Sequence, residues 1–292
     1  MRIAVYGKQF GEGFFSYCSI LLKHLNDAGA ELFIHRSFYD FLVKQVGLKP
    51  GCCELFSDFH DLPDCDLLFS IGGDGTFLDA VTMVRDRHIP IVGVNSGRLG
   101  FLADISKEEL PLAVAEIIAG KYIVRELDLL KLETSIPCFG DLDFALNELA
   151  VQKRDSSSMI TIHAYLNNEF LNSYWADGLI VSTATGSTAY SLSVGGPIMH
   201  PASRSFIINP IAPHNLTVRP LVVPSDFELR LKVEARGGKF LASLDSRSCI
   251  LDEGLELKVS KADFSVPVIE RPGKSFYTTL RSKLMWGADK RN

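Results

Sequence analysis

One short stretch restricts this chain more than any other. The apolar run Asp66-Leu67-Leu68-Phe69-Ser70-Ile71 leads directly into Gly72-Gly73-Asp74-Gly75-Thr76. The run reads as a buried strand. The glycines allow a tight turn and leave no Cβ in the way, so the backbone can approach phosphate oxygens closely. A carboxylate repels phosphate, so Asp74 has no place in a pure anion cradle. Its presence suggests a chemical role, such as binding a hydroxyl, holding a metal or taking a proton. The alternative is a plain strand-to-helix turn with Asp74 as the helix N-cap. The tetrapeptide alone leaves both readings open.

The surrounding pattern is that of a parallel α/β fold. Strand and helix patterns alternate over roughly the first 120 residues. Arg2 to Tyr6 reads as a strand. Phe15, Cys18, Leu21, Leu22 and Leu25 recur at helical spacing before Gly29. Glu31 to His35 is the next strand, and Ser37 is placed to cap a helix reaching Gly47. Thr76 to Arg87 has helical character and Ile89 to Asn95 is another apolar strand. Ser106 and Glu109 have capping-box spacing ahead of an apolar helix closed by Gly120. After Lys121 the grammar changes to successive strands, among them Tyr122 to Glu133, Asp143 to Gln152, Ile160 to Leu166, Gly178 to Thr183 and Glu228 to Ala235. Further strand-like runs cover 239–245, 249–251, 255–260 and 265–270. Asn167-Asn168 and Gly237-Gly238 are hairpin-turn pairs. Phe276 to Trp286 returns to helical spacing. The expected organisation is an α/β domain over 1–121, joined by the C-terminal segment 275–292, and a β-rich domain over 122–274.

Three further segments carry chemistry. Asn95 to Leu102 supplies a second glycine-bearing turn at a strand end, where open α/β sheets bind ligands. Its alternative is ordinary β-to-α connection chemistry. Asn147-Glu148 interrupts an apolar strand. Side chains alternate along a strand, so one of the pair must face a core or a cleft. An amide beside a carboxylate suits ribose hydroxyls or an adenine edge; a buried, satisfied Asn or a bulge is the other reading. Asp177 to Pro197 is dense in small and hydroxyl residues, with a short helix expected near Ser187. Hydroxyls and free N–H groups at a helix start favour an anion or nucleotide. Tyr190 is placed either to stack on a base or to pack in a core.

Other classes are excluded or unsupported. The net charge of -5 argues against a nucleic-acid protein. No apolar stretch approaches the ~20 residues needed to span a bilayer. Met1 to Tyr6 leads straight into a strand, without the apolar core of a secretory signal. The six cysteines fit no Cys-x-x-Cys zinc pair, so free thiols and a reducing cytoplasm are expected. Pro272-Gly273-Lys274-Ser275 lacks the opening glycine of a phosphate-binding P-loop, since Val268 stands there. No Gly-x-Gly-x-x-Gly follows Val5 and no Gly-x-Ser-x-Gly surrounds Ser187. The seven histidines show no ligand spacing.

Taken in order, Gly72 to Thr76, Asn95 to Leu102, Asn147-Glu148, Asp177 to Pro197 and Lys283-Leu284-Met285-Trp286 closely resemble the NAD kinase family of bacterial type. The resemblance covers almost the whole chain. It implies a Rossmann-like N-terminal α/β domain and a β-rich, β-sandwich-like C-terminal domain, usually assembled as a homodimer or homotetramer. It implies phosphoryl transfer from ATP, or in some members polyphosphate, to the 2′-hydroxyl of the adenosine ribose of NAD, giving NADP. By the same resemblance Asp74 is the proton acceptor and Gly75 its backbone neighbour at the nucleotide. Asn147 and Glu148 grip the NAD ribose. Asp177 belongs to the NAD site, Thr188, Ala189, Tyr190, Ser191, Leu192 and Ser193 wrap the dinucleotide, and Ala212 falls near another contact. Mg²⁺ is expected with the donor triphosphate; no metal ligand is assigned. No nucleic-acid or membrane partner is expected.

The chain departs from the family at several points. Asp79, Ser158 and Trp175 stand where basic residues are common, and Leu244-Asp245-Ser246-Arg247 replaces an Asp-Gly-Gln turn. Two other readings share the Gly-Gly-Asp-Gly turn or its nucleotide chemistry: a diacylglycerol-kinase-like or sugar kinase, and a catalytically silent nucleotide-binding regulator.

Overall fold

The computed structural model describes residues 1–51, 53–97, 100–154 and 158–287. The chain forms two compact units, residues 1–126 with 266–292, and residues 127–265. The units divide inside two long strands, Ile123–Thr134 and Glu256–Glu270. The sequence pattern places the breaks at 121/122 and 274/275 instead, because it marks where strands begin and end and not where one strand passes between units.

The first unit is built on a parallel sheet. Its strands lie side by side in the order Cys53–Phe56, Glu31–His35, Arg2–Gly7, Leu67–Gly72 and Ile91–Asn95. Val268 pairs in parallel with Ile91 at the far edge. Chain order and spatial order part company between Arg2–Gly7 and Leu67–Gly72, which makes that junction the topological switch point of a doubly wound sheet. Both strands are almost wholly buried, as apolar runs in a parallel sheet must be. Helix Phe15–Asp27 buries Cys18, Leu21, Leu22 and Leu25, the residues its spacing singled out. Helix Leu110–Ile118 buries Leu110, Ala113, Val114 and Ile117 in the same apolar cluster.

Local differences have local causes. Ser37 does not cap: His35 holds the N-cap position of helix Arg36–Phe41, and the Ser37 hydroxyl lies 2.9 Å from His35 Nδ1. That helix widens into a π turn, Leu42–Val46, and stops at Gly47, whose φ of 71° is left-handed. Strand Cys53–Phe56 escaped the sequence reading because four residues at a sheet edge give too short a pattern.

The second unit is antiparallel. Six strands lie in the order Leu221–Pro224, Ser205–Ile211, Gly178–Ser182, Glu148–Lys153, Lys239–Leu244 and Arg247–Asp252. A second antiparallel layer joins Glu169–Ala176, Ile160–Leu166, Leu229–Glu234 and the first part of Glu256–Glu270. Leu149, Val151 and Ile208 from one layer share a core with Ile162, Leu231 and Val259 from the other, the arrangement of a sandwich. Asn167 and Asn168 adopt positive φ in the hairpin turn expected of them. Three strands went unread. Glu169–Ala176 carries a register break between Phe170 and Asn172 that spoils its alternation. Ser205–Ile211 contains Pro210, which sits beyond Ile208, the last residue paired to Leu221–Pro224. Leu221–Pro224 itself is short and mostly exposed.

Close backbone packing in the first unit makes a testable demand. A Cβ at Gly93 would lie 2.4 Å from the Leu102 carbonyl oxygen and 2.8 Å from Ala103 Cα, both backbone atoms. Gly93→Ala is expected to destabilise the protein by about 1–3 kcal/mol, read as a lower denaturation midpoint; an unchanged midpoint would contradict the packing described.

Candidate active site

In the first unit the site centres on Asp74. Strand Leu67–Gly72 ends at the switch point, Gly73 takes the N-cap position, and Asp74 is the first residue of helix Asp74–Val84. The N-cap reading of Asp74 is therefore corrected. Gly73 occupies that position in an extended conformation, and the Asp74 side chain turns instead to the neighbouring loop. Its Oδ2 accepts from Phe101 N at 2.8 Å, and its Oδ1 accepts from Leu102 N at 3.1 Å and Ala103 N at 3.0 Å. Three successive backbone amides thus hold one carboxylate. A carboxylate oxygen accepts two hydrogen bonds, and among the described residues Oδ2 takes only one, from Phe101 N.

Glycines make this approach possible. A Cβ at Gly100 would stand 1.7 Å from Asp74 Oδ1, and one at Gly72 would stand 2.1 Å from Thr76 Oγ1. A Cβ at Gly73 or Gly75 would meet nothing within 4 Å, so the turn is open at both positions that flank Asp74 in sequence. Asn95 steadies the loop: its Oδ1 accepts from Gly97 N at 2.8 Å, and Ser96 N donates to Gly72 O at 3.0 Å. Arg98 and Leu99 of the second glycine turn lie outside the described residues.

Asp79, on the helix that Asp74 begins, is neutralised from strand Arg2–Gly7. The Lys8 ammonium pairs with its Oδ2, and the Tyr6 hydroxyl donates to the same oxygen at 3.5 Å. Burial first, and then the Asp79 charge, push the Tyr6 hydroxyl well above the ordinary tyrosine range. The sequence reading did not single out Lys8 as the counter-ion of Asp79.

In the second unit, Asn147 is not inside a strand. It lies in a break between Phe144–Ala145 and Glu148–Lys153, because Asp245 intercepts the backbone there. Asp245 Oδ2 accepts from Leu146 N at 2.9 Å, and its Oδ1 accepts from Asn147 N at 2.9 Å and Glu148 N at 3.2 Å. Asp245 holds a φ of 52° in the two-residue turn before Arg247–Asp252, a conformation Asp tolerates better than most residues. Burial pushes its carboxyl upward, against the pull of the three amides. Arg247 reinforces the break by donating to the carbonyls of Leu142 and Phe144.

Asn147 and Glu148 are both buried. Among the described residues the buried Glu148 Oε2 has no hydrogen-bond partner. Burial, with the Asp245 charge second, pushes its carboxyl up to about 8. Glu148 is therefore a neutral acid near pH 7, able to donate a hydrogen bond.

The small-residue segment serves packing as well as exposure. A Cβ at Gly186 would lie 2.1 Å from Asn147 O. Ser182 and Thr183 donate to the carbonyls of Asn147 and Leu146, and the Ser187 hydroxyl accepts from Met199 N. The Ser191 hydroxyl accepts from Asn209 Nδ2 at 3.2 Å and is fully buried, so its side chain has a structural use. Thr188, Ala189, Tyr190 and Leu192 are half-buried and Ser193 is exposed. The Tyr190 hydroxyl accepts from Gln152 Nε2 at 2.9 Å. Asp177 pairs with Lys153 at 2.5 Å, and its N–H donates to Ile211 O, next to Ala212, which has a φ of 44°. Trp175 packs its ring on His214 at 4.2 Å.

A carboxylate beside an open glycine turn at the switch point, with buried polar groups in a β-rich unit, defines a protein that handles nucleotides. The family model of the ATP-NAD kinase N-terminal domain matches residues 53–122, and that of the C-terminal domain matches residues 146–271. The chain is 50% identical over 292 residues to the NAD kinase of Cytophaga hutchinsonii and 44% identical over 294 residues to that of Flavobacterium johnsoniae, covering all of each. Among solved structures it resembles yeast NADH kinase complexed with NADH, at a TM-score of 0.88 and 22% identity over 99% of this chain and 89% of that one. It also resembles an NAD kinase from Archaeoglobus fulgidus in complex with ATP, at a TM-score of 0.75 and 25% identity over 98% of each chain. The chain belongs to the NAD kinase family.

The raised Glu148 carboxyl has a consequence for stability. The unfolded chain releases this proton near ~4.3, whereas the folded chain keeps it up to about 8. Between those values the folded state binds more protons, so this group lowers stability as pH rises. Glu148→Gln is expected to gain thermal stability over the parent progressively from about pH 5 to about pH 8.5. A difference that stays constant across that range would contradict the assignment.

Proposed function

We propose that this chain transfers the terminal phosphoryl group of ATP to the 2′-hydroxyl of the adenosine ribose of NAD, giving NADP, with Asp74 as the general base. The observation that carries the role of Asp74 is its environment: three amides fix the carboxylate, Oδ2 accepts only one hydrogen bond among the described residues, and no side chain stands at Gly73 or Gly75. A ribose hydroxyl is a weak nucleophile, and a fixed carboxylate can take its proton as the bond to phosphorus forms. General-base help of this kind contributes roughly 10²–10⁴ in rate. Positioning and charge neutralisation supply most of the remainder. The Gly75 backbone, at the open side of the turn, lets the acceptor sugar approach.

In this reading Asn147 and Glu148 bind the NAD ribose, Glu148 donating as a neutral acid. Asp177, Ala212 and the segment Thr188 to Ser193 contact the rest of the dinucleotide. Within that segment Ser191 contributes backbone, since its hydroxyl is engaged with Asn209. Among the described residues no three His, Cys, Asp or Glu side chains converge on a metal position. A divalent cation such as Mg²⁺ would therefore be held chiefly by the donor's phosphate oxygens and water, as Mg²⁺ commonly is, and would supply charge neutralisation there. Self-association as a homodimer or homotetramer is supported by the partly exposed apolar residues Leu221, Val222 and Ile250 on edge strands of the six-stranded sheet. No described helix is long and apolar enough to cross a membrane, and the described cysteines are free thiols; cytoplasmic residence fits the latter.

Purified protein incubated with NAD, ATP and Mg²⁺ is expected to form NADP. Binding of NAD without NADP would favour a silent regulator, and no binding of NAD would favour another kinase. Asp74→Asn is expected to bind NAD and ATP but to form NADP at least ~10²-fold more slowly. Turnover at the parental rate would refute the assignment of the base.

A further inference from the structure

The helical turn Tyr190–Ser193 is four residues long, and no side chain caps its start. A single turn does not hold itself, because nucleating a helix costs more order than its first hydrogen bond returns. Two side-chain amides of the six-stranded sheet hold it instead. Asn209 lies in strand Ser205–Ile211, opposite Ile180, which lies opposite Ala150. Gln152 lies in strand Glu148–Lys153, opposite Gly178, which lies opposite Ile211. The sandwich core takes Leu149, Val151, Leu179, Val181 and Ile208. Side chains alternate along a strand, so Asn209 and Gln152 share the other face, on either side of strand Gly178–Ser182. From that face Asn209 Nδ2 donates to the Ser191 carbonyl at 3.0 Å and to the Ser191 hydroxyl at 3.2 Å. Gln152 Nε2 donates to the Tyr190 hydroxyl at 2.9 Å. The Ser191 carbonyl also accepts from Gly196 N at 2.8 Å. A Cβ at Gly196 would stand 2.3 Å from Ser191 Oγ and 2.7 Å from Asn209 Nδ2, so only glycine lets the chain close over this contact.

Folding alone does not call for an amide at position 209. Asn209 is 1% exposed, and its Oδ1 has no hydrogen-bond partner among the described residues. An unpartnered buried carbonyl costs stability, and an apolar side chain of the same size would avoid that cost. What the amide alone supplies is a pair of N–H donors aimed at Ser191.

We propose that Asn209 and Gln152 are positioning residues for the dinucleotide. They act through the turn, keeping Tyr190–Ser193 in the conformation that receives NAD. This rests on the reading of Thr188 to Ser193 as dinucleotide contacts. A turn held in its receiving conformation binds at its intrinsic affinity, and a released turn binds more weakly by the fraction of time it spends there. A drop of that fraction to about one tenth raises the apparent KM about tenfold. The chemical step is untouched, since Asp74 keeps its three amides.

The test combines steady-state kinetics in NAD, at saturating ATP and Mg²⁺, with amide hydrogen exchange on the full-length protein. Asn209→Leu keeps the side-chain size and is expected to raise the KM for NAD about tenfold or more, with kcat within about twofold of the parent. Gln152→Met, at a half-buried position, should shift KM in the same direction with kcat kept. In the free protein both variants should exchange the amides of Leu192, Val194 and Gly196 faster than the parent, with strand Gly178–Ser182 unchanged, and saturating NAD should slow them again. Parental KM in both variants, a fall in kcat at unchanged KM, or faster exchange throughout the second unit would overturn the proposal. A parent that binds NAD with unchanged exchange at 188–193 would sink the dinucleotide reading of that segment itself, a failure seen without any variant.

Discussion

The grip of three consecutive amides on the Asp74 carboxylate is the interaction on which the proposed chemistry of this molecule rests. It ties the end of strand Leu67–Gly72 to the loop that follows Ile91–Asn95. The ends of two neighbouring strands, one of them flanking the switch point, are thereby tied together. The grip also explains the glycines. A Cβ at Gly100 would collide with the Asp74 carboxylate, whereas Gly73 and Gly75 stand in open space. Fixing a charged group with backbone donors avoids the reorganisation that a mobile side chain would need during reaction.

The second unit uses the same device for a different end. Asp245 takes the amides of Leu146, Asn147 and Glu148 in the pattern by which Asp74 takes those of Phe101, Leu102 and Ala103. Asp245, however, is deeply buried, and its use is to shape the backbone. It breaks a strand at Leu146 and Asn147, and the ladder resumes at Glu148. Its charge also helps to keep Glu148 protonated. One buried anion thus sets the position of a neighbouring carboxyl and its protonation state together.

The apolar periodicity of the chain showed the parallel sheet, its main helices and the β-rich character of the second unit. Cys18, Leu21, Leu22 and Leu25 fell on the buried face because helical spacing leaves little choice. The turn at Asp74 stood out in the sequence because a carboxylate among glycines contradicts a simple phosphate cradle. Asp245 was not legible: its partners lie about a hundred residues away in sequence, and only tertiary structure brings them together. The break at Asn147 was missed for the same reason, since the local pattern around it is that of a strand. Lys8 as the counter-ion of Asp79 is likewise a product of long-range packing. The hydroxyl-rich segment was seen, but its division was not. Ser182, Thr183, Ser187 and Ser191 face inward to hydrogen-bond partners, while Thr188 to Tyr190 stay accessible.

The most direct measurement is a crystal structure of the protein with NAD bound. The account expects the 2′-oxygen of the adenosine ribose within about 2.6–3.2 Å of Asp74 Oδ2, using the lone pair that no amide occupies. A bound dinucleotide whose 2′-oxygen lies beyond reach of that carboxylate, with the three amide contacts unchanged, would contradict it.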